Sequence, residues 1–373
     1  MSRERGRGPL GQDVADAIAS SIERWQLPSG LIPWYPGGHA DPWNHVEAAM
    51  ALTERGREAA AERAYAWLAR TQRKDGAWFN YYVGDQPSDR RLDTNVVAYV
   101  AVGVWHHFSR TGNRRFLLEH WPTVERAVAF VLAHQRADGT VTWCREPDGS
   151  PGRFALLTGS CSILLSLRAG LAIAAELGQA RPDWELAAGR LRFAICFDEA
   201  RFAPKRRWAM DWYYPVLSGA LSLGSANARL AERWAELVID GEGVRCVADR
   251  PWVTAAETAE CAIASALVGR VGDAERLLSW AARFAEADGS CWTGLVLPER
   301  VHFPGGERTS YTAAAIVLAG ATLERVGSDP SGRVELAGLT LPDVPLVAPA
   351  GEPSRFDRSG ETRPRRPAEI ARR

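Results

Sequence analysis

Two kinds of helical stretch alternate along this chain, distinguished by how their apolar residues are spread. One kind is amphipathic and charged, as in "GREAAAERAYAWLARTQ" (56–72). The other is apolar or small on nearly every face, as in "LDTNVVAYVAVGVWHH" (92–107) and "TSYTAAAIVLAGATL" (309–323). A helix that is apolar all round has to be buried all round, whereas a striped one covers a core with a single face. The alternation therefore predicts an inner set of helices wrapped by an outer set.

The alternation has a period. An aromatic residue stands nine positions before a glycine at Trp67/Gly76, Phe130/Gly139, Trp234/Gly243 and Trp280/Gly289. A degenerate copy runs from Phe193 to Phe202, and a first copy keeps Gln26, Gly30 and Trp34. Each unit then continues through a loop into an apolar helix that closes near another glycine, the residue suited to a left-handed helix cap. Internal repeats of this length read as stacked helical pairs. The predicted pairs are 11–26 with 43–55, 58–72 with 92–110, 114–135 with 155–177, 183–197 with 211–223, 226–239 with 252–268, and 273–286 with 308–325. Because the last unit is as apolar as the middle ones, an (α/α)6 barrel over residues 11–326 is favoured over an open solenoid. Residues 1–10 read as a flexible N-terminus. Residues 327–373 read as a Pro-, Gly- and Arg-rich, largely disordered tail, with "RVELAGLTLPDVPLV" expected to lie extended against the barrel.

Composition removes several alternatives. Lysine plus arginine and aspartate plus glutamate are 45 each in 373 residues, so no net field points to nucleic acid. The segment 155–177 is the most apolar, but Arg168 and its small residues predict a buried helix, not a membrane span. The N-terminus shows no apolar run of a signal peptide. The six cysteines are scattered without a CxxC pair, which predicts reduced thiols in a cytoplasmic protein with no metal site and no cofactor.

Links between units are short and those within units long, so every long loop is expected at one end of the barrel. Fifteen tryptophans are available to line that mouth, with Trp34, Trp43, Trp78, Trp143, Trp212, Trp252 and Trp292 as candidate platforms for a substrate. The first turns of the inner helices add Asp41, Asn44, Glu47, Asp93, Asn95, Ser160, Asp211, Tyr214, Glu257, Glu260, Thr309 and Tyr311. Capping explains Asp41, Asp93 and Asp211 equally well. Glu257 lies a turn inside an apolar helix, where a carboxylate needs a partner or a polar cavity. The loops supply Glu146, Asp288, Glu299 and Glu307. Carboxylates around an aromatic-rimmed cavity suit glycoside chemistry, in which one carboxyl protonates the leaving oxygen and another attacks the sugar or activates water.

Two resemblances sharpen the picture. "RAYAWLARTQRKDGAW" (63–78) and "RAVAFVLAHQRADG" (126–139) resemble the QW motif of the terpenoid cyclase and protein prenyltransferase toroid, where it braces the scaffold. The acid motif DxDD of the class II cyclases is absent, as is a recognisable zinc set of the prenyltransferases. "LDTNVVAYVAVGVWHHFSRTGNRRFLLEHWPTVERAVAFV" (92–131) is similar to a hairpin of the six-hairpin glycosidases, in particular the glucoamylase family. That resemblance implies a general acid just after a tryptophan in the third hairpin and a base before the last inner helix. It points to Glu146 in "TWCREPDG", with Cys144 where the family has its acid, and to Glu299 in "LPERVHFPGGERTSYT", with Glu307 competing.

The expectation is therefore an enzyme acting on an oligosaccharide or glycoconjugate, with Glu146 or Asp211 as acid and Glu299 or Glu257 as base. An isoprenoid-handling toroid is the runner-up, and a non-catalytic glycan- or lipid-binding toroid the third reading.

Overall fold

Twelve helices alternate between an outer and an inner ring in the computed structural model, which describes residues 10–328 and 339–349; counts here refer to those described residues. The outer helices are α1 (Gln12–Trp25), α3 (Glu58–Thr71), α5 (Arg114–Leu132), α7 (Pro182–Phe197), α9 (Leu223–Leu237) and α11 (Val271–Ala282). Their inner partners are α2 (Pro42–Glu54), α4 (Thr94–Ala98 and Val100–Thr111, interrupted at Tyr99), α6 (Leu157–Glu176), α8 (Met210–Leu217), α10 (Ala255–Leu267) and α12 (Ser310–Ser328). This is the predicted (α/α)6 barrel.

The patterning explains the two rings. α9 buries only Ala226, Leu230 and Leu237, whereas α6 is buried along almost its whole length. By length and composition α6 could cross a bilayer; here it packs against α4, α5, α7 and α8.

The recurring Gln and Gly have a shared task. Gln72 Nε2 donates to the carbonyls of Gly76 and, on the next outer helix, Thr123, both at 2.9 Å. Gln26 does the same to Gly30 and Ala60, and Gln135 to Gly139 and Ala187. Gly76 (φ 89°) lies so near α5 that a Cβ would sit 2.2 Å from the Arg126 carbonyl oxygen. In the last unit, a Cβ on Gly289 (φ 82°) would sit 1.9 Å from the carbonyl oxygen of Ala17 in α1. The sixth hairpin thus packs on the first, and α12 contacts α1 and α2. The ring is closed.

The long loops carry strands that helical periodicity does not reveal. β1 (His39–Ala40), β2 (Tyr81–Val83) and β3 (Gln86–Asp89) form one small sheet. β4 (Leu92–Asp93) pairs with β5 (Cys144–Arg145). β6 (Val238–Ile239), β7 (Gly243–Arg245), β8 (Trp252–Thr254), β9 (Trp292–Val296) and β10 (Val301–Arg308) form an antiparallel sheet in the order β10-β9-β8-β7-β6. Two predicted helices are shortened. Residues 252–254 are strand instead of helix, and α8 ends at Leu217, with Pro215 denying an N–H inside it.

Residues 339–349 run extended across the end of the barrel opposite the loops. Leu339, Leu341 and Val344 are buried there. Trp105 Nε1 donates to the Thr340 carbonyl (3.2 Å), Arg168 Nε to that of Pro342 (2.9 Å), and Arg192 Nη1 to Asp343 (2.7 Å). The rest of the tail and residues 1–9 lie outside the described residues.

Candidate active site

The starts of the inner helices bring buried carboxyls together, and capping accounts for part of that placement. Asp41 caps α2, its Oδ1 accepting from the Asn44 backbone N–H at 2.9 Å. Its Oδ2 accepts from Trp34 Nε1 at 2.7 Å and Asn44 Nδ2 at 2.6 Å. Burial still pushes this carboxyl above its usual range. Trp34 meets Tyr311 edge-on at 4.8 Å and Tyr81 at 6.0 Å, and lies 4.2 Å from His39. Tyr311 stands in the first turn of α12, so this aromatic wall joins the first hairpin to the last.

Glu257 stands in the first turn of α10. Its neighbours Ala255, Ala256 and Thr258 are buried, yet it keeps partial exposure. Burial raises its pKa. Burial raises the Tyr311 hydroxyl as well, and the Glu257 charge adds to it. The Trp34–Tyr311 pair is thus bonded to Asp41 through Trp34 and feels the Glu257 charge through Tyr311.

Asp93 caps α4 through the N–H groups of Asn95 and Val96, at 2.9 and 3.2 Å. Burial lifts it to about 6, with a smaller push from the Asp41 charge. Tyr81 lies within reach of both acids, burial first and then Asp41 and Asp93 raising its hydroxyl to about 12.

Deeper in the barrel lies a second carboxyl pair. Glu47 of α2 accepts from the Tyr99 hydroxyl at 3.2 Å. Glu260, one turn beyond Glu257, accepts from Tyr214 at 3.0 Å and from Tyr213. Burial raises both, Glu260 to about 8, and the Glu260 charge raises Glu47 further. Trp43 lies above them, 5.5 Å from Tyr99 and 6.4 Å from Tyr214 between ring centres.

A cavity of about 250 Å³ opens beside Asp93, between the starts of α4, α6 and α8. Asp211 lines it and accepts from Thr158 Oγ1 at 2.6 Å; burial raises this carboxyl too. Lys205, Trp143 and the exposed Trp208 complete its rim, Trp143 stacking on Phe154 with ring centres 5.7 Å apart.

Several expected residues do other work. Glu299 is exposed on the turn joining β9 to β10 and meets none of the other acids, because the segment forms a hairpin that projects it outward. Glu146 sits on a tight turn, held by Ser150 and accepting from the Cys144 thiol at 3.3 Å. Glu307, at the end of β10, does reach Tyr311 electrostatically. Trp78 and Trp212 are buried and donate to the Leu68 and Arg229 carbonyls, so they brace helices and offer no face to a ligand. Trp252 is stacked on Phe303 and Trp292 on His302, the latter also under Arg308. Both rings are engaged within the protein. Tyr81, Lys205 and Trp208 escape sequence reasoning because their loops carry no helical register, and Tyr99 and Tyr213 because an aromatic on an inner helix reads as core. Among the described residues no three His, Cys, Asp or Glu side chains are arranged to hold a metal ion.

The closed ring and its acid-lined mouth define a glycosidase-type (α/α)6 toroid. Among solved structures, a glycosidase variant in complex with glucose matches with TM-score 0.66 and 19% identity, over 86% of this chain and 97% of that one. A GH63 mannosylglycerate hydrolase from Thermus thermophilus, in complex with glucose, matches with TM-score 0.65 and 15% identity, over 80% and 98%. At those identities the likeness shows the fold. No family model matches the chain. The MMP endo-(1,4)-3-O-methyl-alpha-D-mannosidase of Mycolicibacterium hassiacum is 45% identical over 318 residues, 85% of this chain and 88% of that enzyme. The chain belongs to the family of that mannosidase.

Proposed function

We propose that the protein is an endo-acting glycoside hydrolase that cleaves α-(1,4) bonds between O-methylated mannose units, with Glu257 and Asp41 as its reacting carboxyls. The observation that carries this is the aromatic wall the two acids share: Asp41 accepts from Trp34, whose ring meets Tyr311, and the Glu257 charge acts on the Tyr311 hydroxyl. The activity named for the 45%-identical relative supports the linkage and the sugar.

The two environments divide the roles. Asp41 accepts three hydrogen bonds, which favour its ionised form. Burial raises both carboxyls, and the three hydrogen bonds that oppose it at Asp41 leave Glu257 as the one we assign the acid's role. Glu257 protonates the glycosidic oxygen as its bond to C1 breaks. Asp41 then attacks C1 or takes a proton from the water that does so; OH from water ends on C1, the leaving sugar keeps the proton from Glu257, and the water's other hydrogen restores the carboxyl pair. Asp93 and Tyr81 lie beside Asp41 to receive ring hydroxyls. The aromatic wall offers an apolar face to the ring and keeps water from competing.

The Gln26, Gln72 and Gln135 braces that resemble the isoprenoid toroid tie loops to outer helices, away from the mouth carboxyls. They favour no isoprenoid chemistry over this one. The free state of all six cysteines supports a cytoplasmic setting.

The test is hydrolysis of a 4-linked, 3-O-methylated mannose oligosaccharide followed by product sizing. Asp41→Asn and Glu257→Gln, each still folded, are expected to lose on the order of a thousandfold in kcat, and Glu299→Gln to lose nothing. Turnover that survives both substitutions overturns the assignment.

A further inference from the structure

The cavity beside Asp93 has a mixed lining. Asp93, Thr158, Ser160 and Asp211 bring oxygens to it. Val141, Leu156, Ile163 and Met210 bring apolar groups, with Trp143 and Trp208 beside them. Two lining residues carry a buried side-chain atom without a partner: Ser160 Oγ, on a residue 1% exposed, and Asn95 Oδ1. Buried polar atoms are rarely left so. A ligand suited to this lining supplies hydrogen bonds and an apolar group together. An unsubstituted sugar meets the first demand only, because a hydroxyl turned to the apolar residues exchanges water for nothing. A sugar methyl ether meets both.

We infer that this cavity is where the protein distinguishes an O-methylated sugar from its unmethylated counterpart, with Leu156, Ile163 and Met210 around the methyl and Ser160, Asn95 and Asp211 on ring oxygens. The inference rests on the hydrolase reading above and adds to it the residues that select the substrate. Position supports it: Asp93 belongs both to the cavity wall and to the acid cluster around Asp41. A sugar unit held here adjoins the reacting one. Lys205 and the half-exposed Trp208 close the outer side, the indole supplying a face for the ring.

The experiment compares kcat/KM for two 4-linked mannose oligosaccharides of equal length, one 3-O-methylated and one not, on the full chain. A hydrophobic pocket separates ligands that differ by one methyl on the order of tenfold or more, and that preference is expected of the wild type. Leu156 and Met210 are both partly exposed, so Leu156→Asn and Met210→Gln are the substitutions of choice. Each is expected to raise KM for the methylated substrate and bring the ratio of kcat/KM for the two substrates near one. Met210→Leu, which keeps the lining apolar there, is expected to keep the preference. A wild-type preference that survives both polar substitutions overturns the inference alone, as do equal wild-type rates on the two substrates. Hydrolysis of neither substrate overturns the hydrolase reading and this inference with it.

Discussion

Trp34 donates its indole N–H to Asp41 at 2.7 Å while its ring meets Tyr311 at 4.8 Å, so one side chain orients a carboxylate and helps build the aromatic wall. Trp34→Phe keeps most of the ring and removes the donor. A hydrogen bond to a charged group contributes about 1.5–3 kcal/mol, and about 1.4 kcal/mol is tenfold in rate. The variant is expected to lose roughly ten- to a hundredfold in kcat, with a larger effect on kcat than on KM in steady-state assays.

The deep carboxyls predict a pH dependence of stability. Glu260 is held at about 8 by burial, against an ordinary glutamate value of 4.5. Between those two values the folded state binds the proton that the unfolded state has released, so stability falls as pH rises through that window. Glu260→Gln keeps an acceptor for one of the Tyr213 and Tyr214 hydroxyls, can donate to the other, and cannot ionise. Thermal unfolding across pH 5 to 8 is expected to show a shallower decline for this variant than for the wild type, and parallel curves would disprove the link.

At the barrel's other end the sign reverses. Burial alone would raise Glu54, but its hydrogen bonds from His106 (2.6 Å) and Arg325 outweigh burial and leave it at about 2. The stability it contributes is present above about 4.5 and is lost as pH falls toward 2. In Glu54→Gln, unfolding midpoints measured from pH 6 downward are expected to start lower and fall less steeply.

Closure of the ring is testable at Gly289. Alanine there would adopt a positive φ and drive its Cβ into the Ala17 carbonyl. A cost of about 2–4 kcal/mol is expected in urea unfolding. Gly37→Ala, with φ 77° but open space around it, is expected to cost less.

Much of this architecture is legible in the repeats, because the Gln–Gly spacing and the apolar inner helices arise from the same packing demand in every unit. The strands are not. Pro298, Pro304 and the Gly305–Gly306 pair break the alternation that would mark β9 and β10, and that obscures the exposed position of Glu299. Asp41 illustrates a different limit: an aspartate before a proline reads as a cap, and it is one, but its second oxygen faces Trp34. Only tertiary structure shows both uses. Trp78 and Trp212 mislead for the opposite reason, since an indole that braces a helix and one that receives a sugar look alike in a sequence.

The contact between the last hairpin and the first also bears on how the protein comes into being. Asp41 is made early on the ribosome, and Tyr311 emerges only after more than two hundred further residues. Until then the wall beside Asp41 is incomplete, so a chain cut short between α10 and α12 carries both acids without Tyr311. By the same geometry the ring has no preferred starting point. Moving the termini to one of the short links between hairpins would change the order of synthesis and leave the mouth intact.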